Sequence, residues 1–177
     1  MKPDTLEKSS QSIFSYLCPR HQAWVAADYA RAVSLWRDAT DKGKAAYQVG
    51  GIRRSRLFFG AAFETVVVRM RQPQLAGTDL NIVHLADAGK LLSQVLCDLR
   101  EFEEAEQVLS LVHSSLLLGV DKPRPGKMSL NEYLYLVEDF VSRLAGVMTR
   151  RGKVDGARMR ALLTWRVIEN QRAGLVH

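Results

Sequence analysis

The sequence predicts an all-α protein in one domain over 1–177: about seven antiparallel helices stacked as hairpins, as an α-solenoid or an irregular bundle. Three observations carry that expectation. Apolar residues recur at three- and four-residue steps along most of the chain. No stretch alternates at period two over a useful length. The only β-branched run, Thr65-Val66-Val67-Val68, sits inside the helical pattern Phe59, Phe63, Val66, Met70. Glycine and proline fall between the periodic stretches, at Gly50-Gly51, Pro73, Pro123, Pro125-Gly126 and Gly152.

Taken in order, helices are expected near 5–17, 20–40, 53–71, 79–99, 101–118, 130–150 and 154–171. Pro19 should end or kink the first, because its ring clashes with the preceding turn. The second carries Trp24 and Trp36, read as core. The third is apolar on nearly every side (Phe58, Phe59, Phe63, Val66, Val67, Met70), the profile of a helix sandwiched mid-fold. Thr78 or Asp79 can cap the fourth, whose stripe runs Leu85, Ala88, Leu92, Val95, Leu96, Leu99. Phe102, Ala105, Val108, Leu109, Val112 and Leu116 mark the fifth. Ser129 and Glu132 form a capping box for the sixth, and its stripe runs from Leu130 to Met148. Val154, Ala157, Ala161, Trp165 and Ile168 mark the seventh, with Trp165 counted as core. Only 41–52 and 119–129 are expected as longer connections.

With 177 residues, 47% of them apolar and 25% charged, the chain can bury a core without disulfides or metal, and global disorder is excluded. No apolar run approaches a membrane span, so no membrane partner is expected. The start of the sequence lacks the apolar stretch of a secretion signal, so a cytoplasmic protein is expected, with Cys18 and Cys97 as small buried thiols.

The net charge of +6 is a sum of opposed parts. Residues 52–76 carry +4, residues 77–140 carry −6 and residues 141–177 carry +6. Either the segments complement one another inside the fold, or the basic end faces an acidic partner.

No catalytic constellation emerges, and no enzyme is expected. His21, His84, His113 and His177 lack histidine or cysteine neighbours at metal-ligand spacing, and His84 with Asp87 is a single pair. Gly50-Gly51 lacks the lysine of a phosphate loop. Neither metal nor cofactor is expected. Glu101, Glu103, Glu104 and Glu106 read as solvated surface. Basic residues at the end raise nucleic acid as an alternative partner, with Arg151, Arg158 and Arg166 near one face at 100° per residue.

An internal repeat is also visible. Asp28-Tyr29, Ala32, Trp36 and Ala39 form a pattern that Arg100-Glu101-Phe102 with Ala105 and Leu109 echoes, and Gly152-Lys153-Val154 with Ala157 repeats faintly. This resembles the second helix of a tetratricopeptide repeat, and Phe59-Gly60-Ala61-Ala62-Phe63 resembles the first. The spacing is irregular, and the signature tryptophan and glycine are missing near 87–112, where Gly89 and Ser93 stand. The resemblance implies stacked helical pairs whose first helices line a groove for a peptide or partner helix. Carried onto this chain, the groove positions are Arg54, Glu64, Asp87, Lys90, Gln94, Asp139 and Arg143. It implies an adaptor or chaperone-like role with a protein or peptide partner, and a homodimer is a further option.

Overall fold

The computed structural model describes residues 15–71, 80–122 and 124–174. Within them the chain forms seven helices and no strand: α1 (Pro19–Ala27), α2 (Tyr29–Gln48), α3 (Ile52–Met70), α4 (Ile82–Asp98), α5 (Phe102–Gly119), α6 (Leu130–Arg150) and α7 (Val154–Ala173). Each helix packs on its sequence neighbour, and α1 lies against both α2 and α3. One apolar cluster joins them all, from Val25 through Phe63, Leu92, Val112 and Leu144 to Ile168. No helix among the described residues is long and apolar enough to cross a membrane.

The start of the chain differs from expectation. Residues 5–14 and the proposed caps Thr78 and Asp79 lie outside the described residues, and 15–18 are not helical. Pro19 opens a helix instead of ending one. It occupies the first turn of α1, where its missing N–H costs nothing and its fixed φ suits the helix. The expected helix over 20–40 is divided at Asp28, whose backbone is extended (φ −128°) and whose carboxylate accepts from the Arg31 N–H. The expected connection over 41–52 is helical as far as Gln48.

Buried charges on α3 hold the short helix α1. The Glu64 carboxylate, fully buried, accepts from the N–H groups of Tyr16 and Leu17, each at 2.7 Å, and from the Gln22 amide at 2.8 Å. Arg69, also buried, donates to the carbonyls of Val25 and Ala26 at the other end. An anion beside the start of α1 and a cation at its end complement the helix dipole. The helix α3 is sandwiched as its composition requires, with Phe59, Phe63, Val66 and Val67 buried, although Leu57 and Met70 reach solvent.

Three turns of one design give the fold its order. After α2, α4 and α6 the chain places one residue at positive φ: Gly50 (77°), Arg100 (61°) and Gly152 (77°). At each, that residue's N–H bonds back three residues and the next N–H bonds back five: Gly50 to Tyr47 and Gly51 to Ala46; Arg100 to Cys97 and Glu101 to Leu96; Gly152 to Thr149 and Lys153 to Met148. This is the Schellman ending, which satisfies the last carbonyls of a helix. The chain is therefore three helical hairpins, α2–α3, α4–α5 and α6–α7, with turns fifty and fifty-two residues apart. Equivalent positions bury equivalent residues: Ser55, Ala105 and Ala157 near the start of each second helix, and Val66, Leu116 and Ile168 further along it.

The register of the repeat thus differs from the sequence expectation. Residues 28–39, expected as a second helix, open the first helix of the first hairpin, and Phe59–Phe63 lie in a second helix. Tyr29 to Trp36 and Phe102 to Leu109 share spacing because both follow a helix start, not because they occupy equivalent places.

Expected caps and core positions divide. Ser129 and Glu132 make the expected capping box, with Glu132 Oε2 accepting from the Ser129 N–H at 2.7 Å. For α4 the box is Asn81 with His84. Cys18 is exposed and Cys97 half-buried, so neither is the sealed thiol expected. Trp24 and Trp165 are 40% and 41% exposed, outside the core.

Candidate binding groove

Because consecutive first helices face the same way, α2, α4 and α6 share one side of the stack, with α3 and α5 behind them. Two cavities lie along that side. Between α2 and α4, Lys44, Tyr47, Gln48, Leu91 and Val95 surround a cleft of about 140 Å³ floored by Phe59 of α3. Between α4 and α6, Ser93, Cys97, Asp98, Ser142, Gly146, Val147 and Arg150 surround one of about 350 Å³ floored by Leu109 of α5. Phe59 and Leu109 each stand seven positions after the first residue of their helices, so the two floors are equivalent. Gln94 lines both cavities and stands between them.

The groove is apolar at one end and polar at the other. Tyr47 donates from α2 to Asp98 of α4 at 2.8 Å, and the Gln94 amide donates to the same carboxylate at 3.1 Å. The Asp98 bond raises the Tyr47 hydroxyl above its ordinary pKa, and burial adds to it. Arg143 donates to Asp139 at 2.9 Å, and Lys90 approaches Asp139 at 3.8 Å, so α4 and α6 are tied at the rim. The Arg150 guanidinium lies 5.9 Å from the Phe102 ring centroid, and no carboxylate among the described residues pairs with it. Burial raises the Cys97 thiol, partly offset by Arg150, so Cys97 is a thiol at neutral pH.

Five of the seven expected groove residues belong to its two later helices. Gln94 and Arg143 line the cavity, Lys90 and Asp139 form its rim, and Asp87 is exposed a turn before Lys90. Arg54 and Glu64 lie elsewhere, because α3 is a second helix. Arg54 is exposed over Phe58, and Glu64 is sealed against Leu17. Lys44, Tyr47 and Gln48 of α2 take their place. Sequence reasoning also missed Arg150, which it had counted only with the basic end. The signal available was its position: it precedes the Gly152 turn by two residues, as Gln48 precedes Gly50.

The three residues of the basic trio differ in their surroundings. Arg151 is drawn to α5, pairing with Glu106 at 2.7 Å and Glu103 at 3.7 Å, whereas Arg158 and Arg166 stay exposed on α7. Lys153 joins Glu106 at 2.8 Å. Burial pushes the Glu106 carboxyl up, but Lys153 and Arg151 outweigh it and hold the group below its ordinary range. On the other side, Arg56 of α3 pairs with Glu104 at 2.6 Å and Glu101 at 3.1 Å. The Tyr16 hydroxyl donates to Glu104, and burial with that bond raises its pKa. The acidic start of α5 is therefore clamped by both basic flanks instead of standing as free surface. The opposed charges of the three segments pair with one another at the partly exposed surface of the fold.

No group of three or more histidine, cysteine or acidic side chains that could hold a metal ion occurs among the described residues. Comparison with models of known families, with curated proteins and with solved structures finds no match to this chain.

Proposed function

We infer that this protein is a non-enzymatic interaction module of tetratricopeptide-like design, an adaptor or chaperone-like protein that holds a peptide or partner helix in the groove of α2, α4 and α6. The observation that carries the reading is a pair of equivalent cavities between the first helices of successive hairpins. Two equivalent cavities share Gln94, and the first helices of three successive hairpins line them. Stacked hairpins commonly bind partners along one side of the stack. Its chemistry suits a segment with an apolar side chain over Phe59, Leu91 and Val95 and a carboxylate near Arg150 and Arg143.

Peptide selection on the immobilised full chain tests this. Enriched peptides should combine an apolar and an acidic residue, and Arg150→Glu should abolish their capture. Lys90→Ala with Gln94→Ala should weaken it, and capture unchanged by all three substitutions would exclude the groove.

A further inference from the structure

Among the described residues, nothing packs on the outer face of α7, the last described helix. In α3 and α5 the corresponding face meets the following hairpin. Phe63 of α3 approaches the place where a side chain at Gly89 of α4 would stand, and His113 of α5 bonds to Thr164 of α7 at 2.9 Å. Both are buried. The equivalent residue of α7 is Trp165, thirteen positions beyond Gly152 as Phe63 is beyond Gly50, and it is 41% exposed. Around it Leu162, Leu163 and Met159 are each more than half exposed. Exposed apolar side chains gathered on one helix mark an interaction surface.

The pattern of that face specifies what covers it. Asp155, Arg158, Leu162, Trp165, Glu169 and Arg172 follow one another at alternating three- and four-residue steps, and all are exposed. Such a stripe forms the seam of a two-helix contact. Reversed about the point between Leu163 and Thr164, it is its own complement. Asp155 meets Arg172, Arg158 meets Glu169, and Leu162 meets Trp165. Two-fold symmetry makes each contact twice, which gives an apolar centre flanked by four ion pairs of opposite sign. Arg172 already donates to Glu138 of α6 at 2.6 Å, but its side chain is 49% exposed and keeps a free edge.

We propose that α7 is a self-association surface, and that two copies of this chain dimerise by antiparallel pairing of their α7 helices. The pairing leaves the groove of α2, α4 and α6 open, since no α7 residue lines it. A single helix pair buries less than the roughly 1,600 Å² of a standard interface, so the dimer is a weak one that assembles at tens of micromolar, on the order of 10–100 µM.

Sedimentation velocity of the full chain across that range tests the proposal through a charge swap at exposed positions. The wild type should move towards twice the chain mass as concentration rises. Arg158→Glu places like charges together twice per dimer and should weaken association about tenfold or more. Glu169→Arg should do the same. The double variant Arg158→Glu, Glu169→Arg should restore association to near the wild-type level. Circular dichroism of each variant checks that the fold persists. A wild type that stays monomeric throughout would overturn the proposal. So would a dimer indifferent to Arg158→Glu, or one that the double variant fails to restore.

Discussion

His113 makes the stability of this protein depend on pH in a direction the hydrogen bonding fixes. The ring lies on α5, 1% exposed, beneath α7. The Thr164 hydroxyl spends its proton on the Arg160 carbonyl at 2.9 Å, so it can only accept from the ring, and Nε2 must carry the hydrogen. That leaves Nδ1 buried with no partner among the described residues. Protonation would place a charged N–H there with nothing to receive it. Burial, with the Arg160 charge adding to it, lowers the His113 pKa from 6.5 to about 4. Between those values the unfolded chain binds more protons than the folded one. The stability is therefore complete above about pH 6.5 and is lost as pH falls towards 4. From about pH 7.5 to about pH 4.5 this single group removes roughly 2.5 kcal/mol.

Carboxylates titrate over part of the same range, so the assay is a comparison. Urea unfolding of the wild type and of His113→Leu at both pH values isolates the imidazole, because the variant shares every other group. The wild type should lose about 2.5 kcal/mol more than the variant on acidification. The variant leaves Thr164 with its bond to Arg160, so it should fold. Equal losses in the two proteins, within about 0.5 kcal/mol, would refute the protonation argument.

Glu64→Ala should strip three hydrogen bonds from residues 16–22 and lower stability by about 2–4 kcal/mol, with faster hydrogen exchange across α1 than elsewhere. At the three hairpin turns, Gly152→Ala should destabilise by about 1 kcal/mol through backbone strain alone, since nothing crowds the site. Arg100→Gly should raise stability by about 0.5–1 kcal/mol, because the arginine holds a conformation that glycine adopts freely. Gly89→Ala would set a methyl 2.6 Å from Val112 Cγ2, and the resulting 1–3 kcal/mol of overlap (roughly) should outweigh the helix propensity gained. Thermal melts of these single variants check the last three.

Helices from residue 52 onward were legible because their stripes and punctuation agree. The capping box at Ser129 and Glu132 begins α6 where expected, and the turn at Gly152 divides α6 from α7. The beginning was less legible for a local reason. Proline can end a helix or open one, and at Pro19 only the burial of α1 against α3 decides. Pairing was less legible still. Arg100 gives no sequence sign that it occupies the place glycine takes at 50 and 152, so the period near fifty stayed hidden. Without it α3 passed for a first helix, and Arg54 and Glu64 for groove residues.

The sequence by itself determined the helical class and the places where most helices from residue 52 onward begin and end, because these follow from local periodicity and capping. It also determined that the charge is segmented. Only the tertiary structure decided what the charges do. Arg151 and Arg158 sit seven residues apart, yet one is clamped to α5 and the other faces solvent. Only the structure decided which helices line the groove and which face of α7 the described residues leave uncovered. Those outcomes depend on distances between residues about fifty positions apart in the chain, which local sequence does not encode.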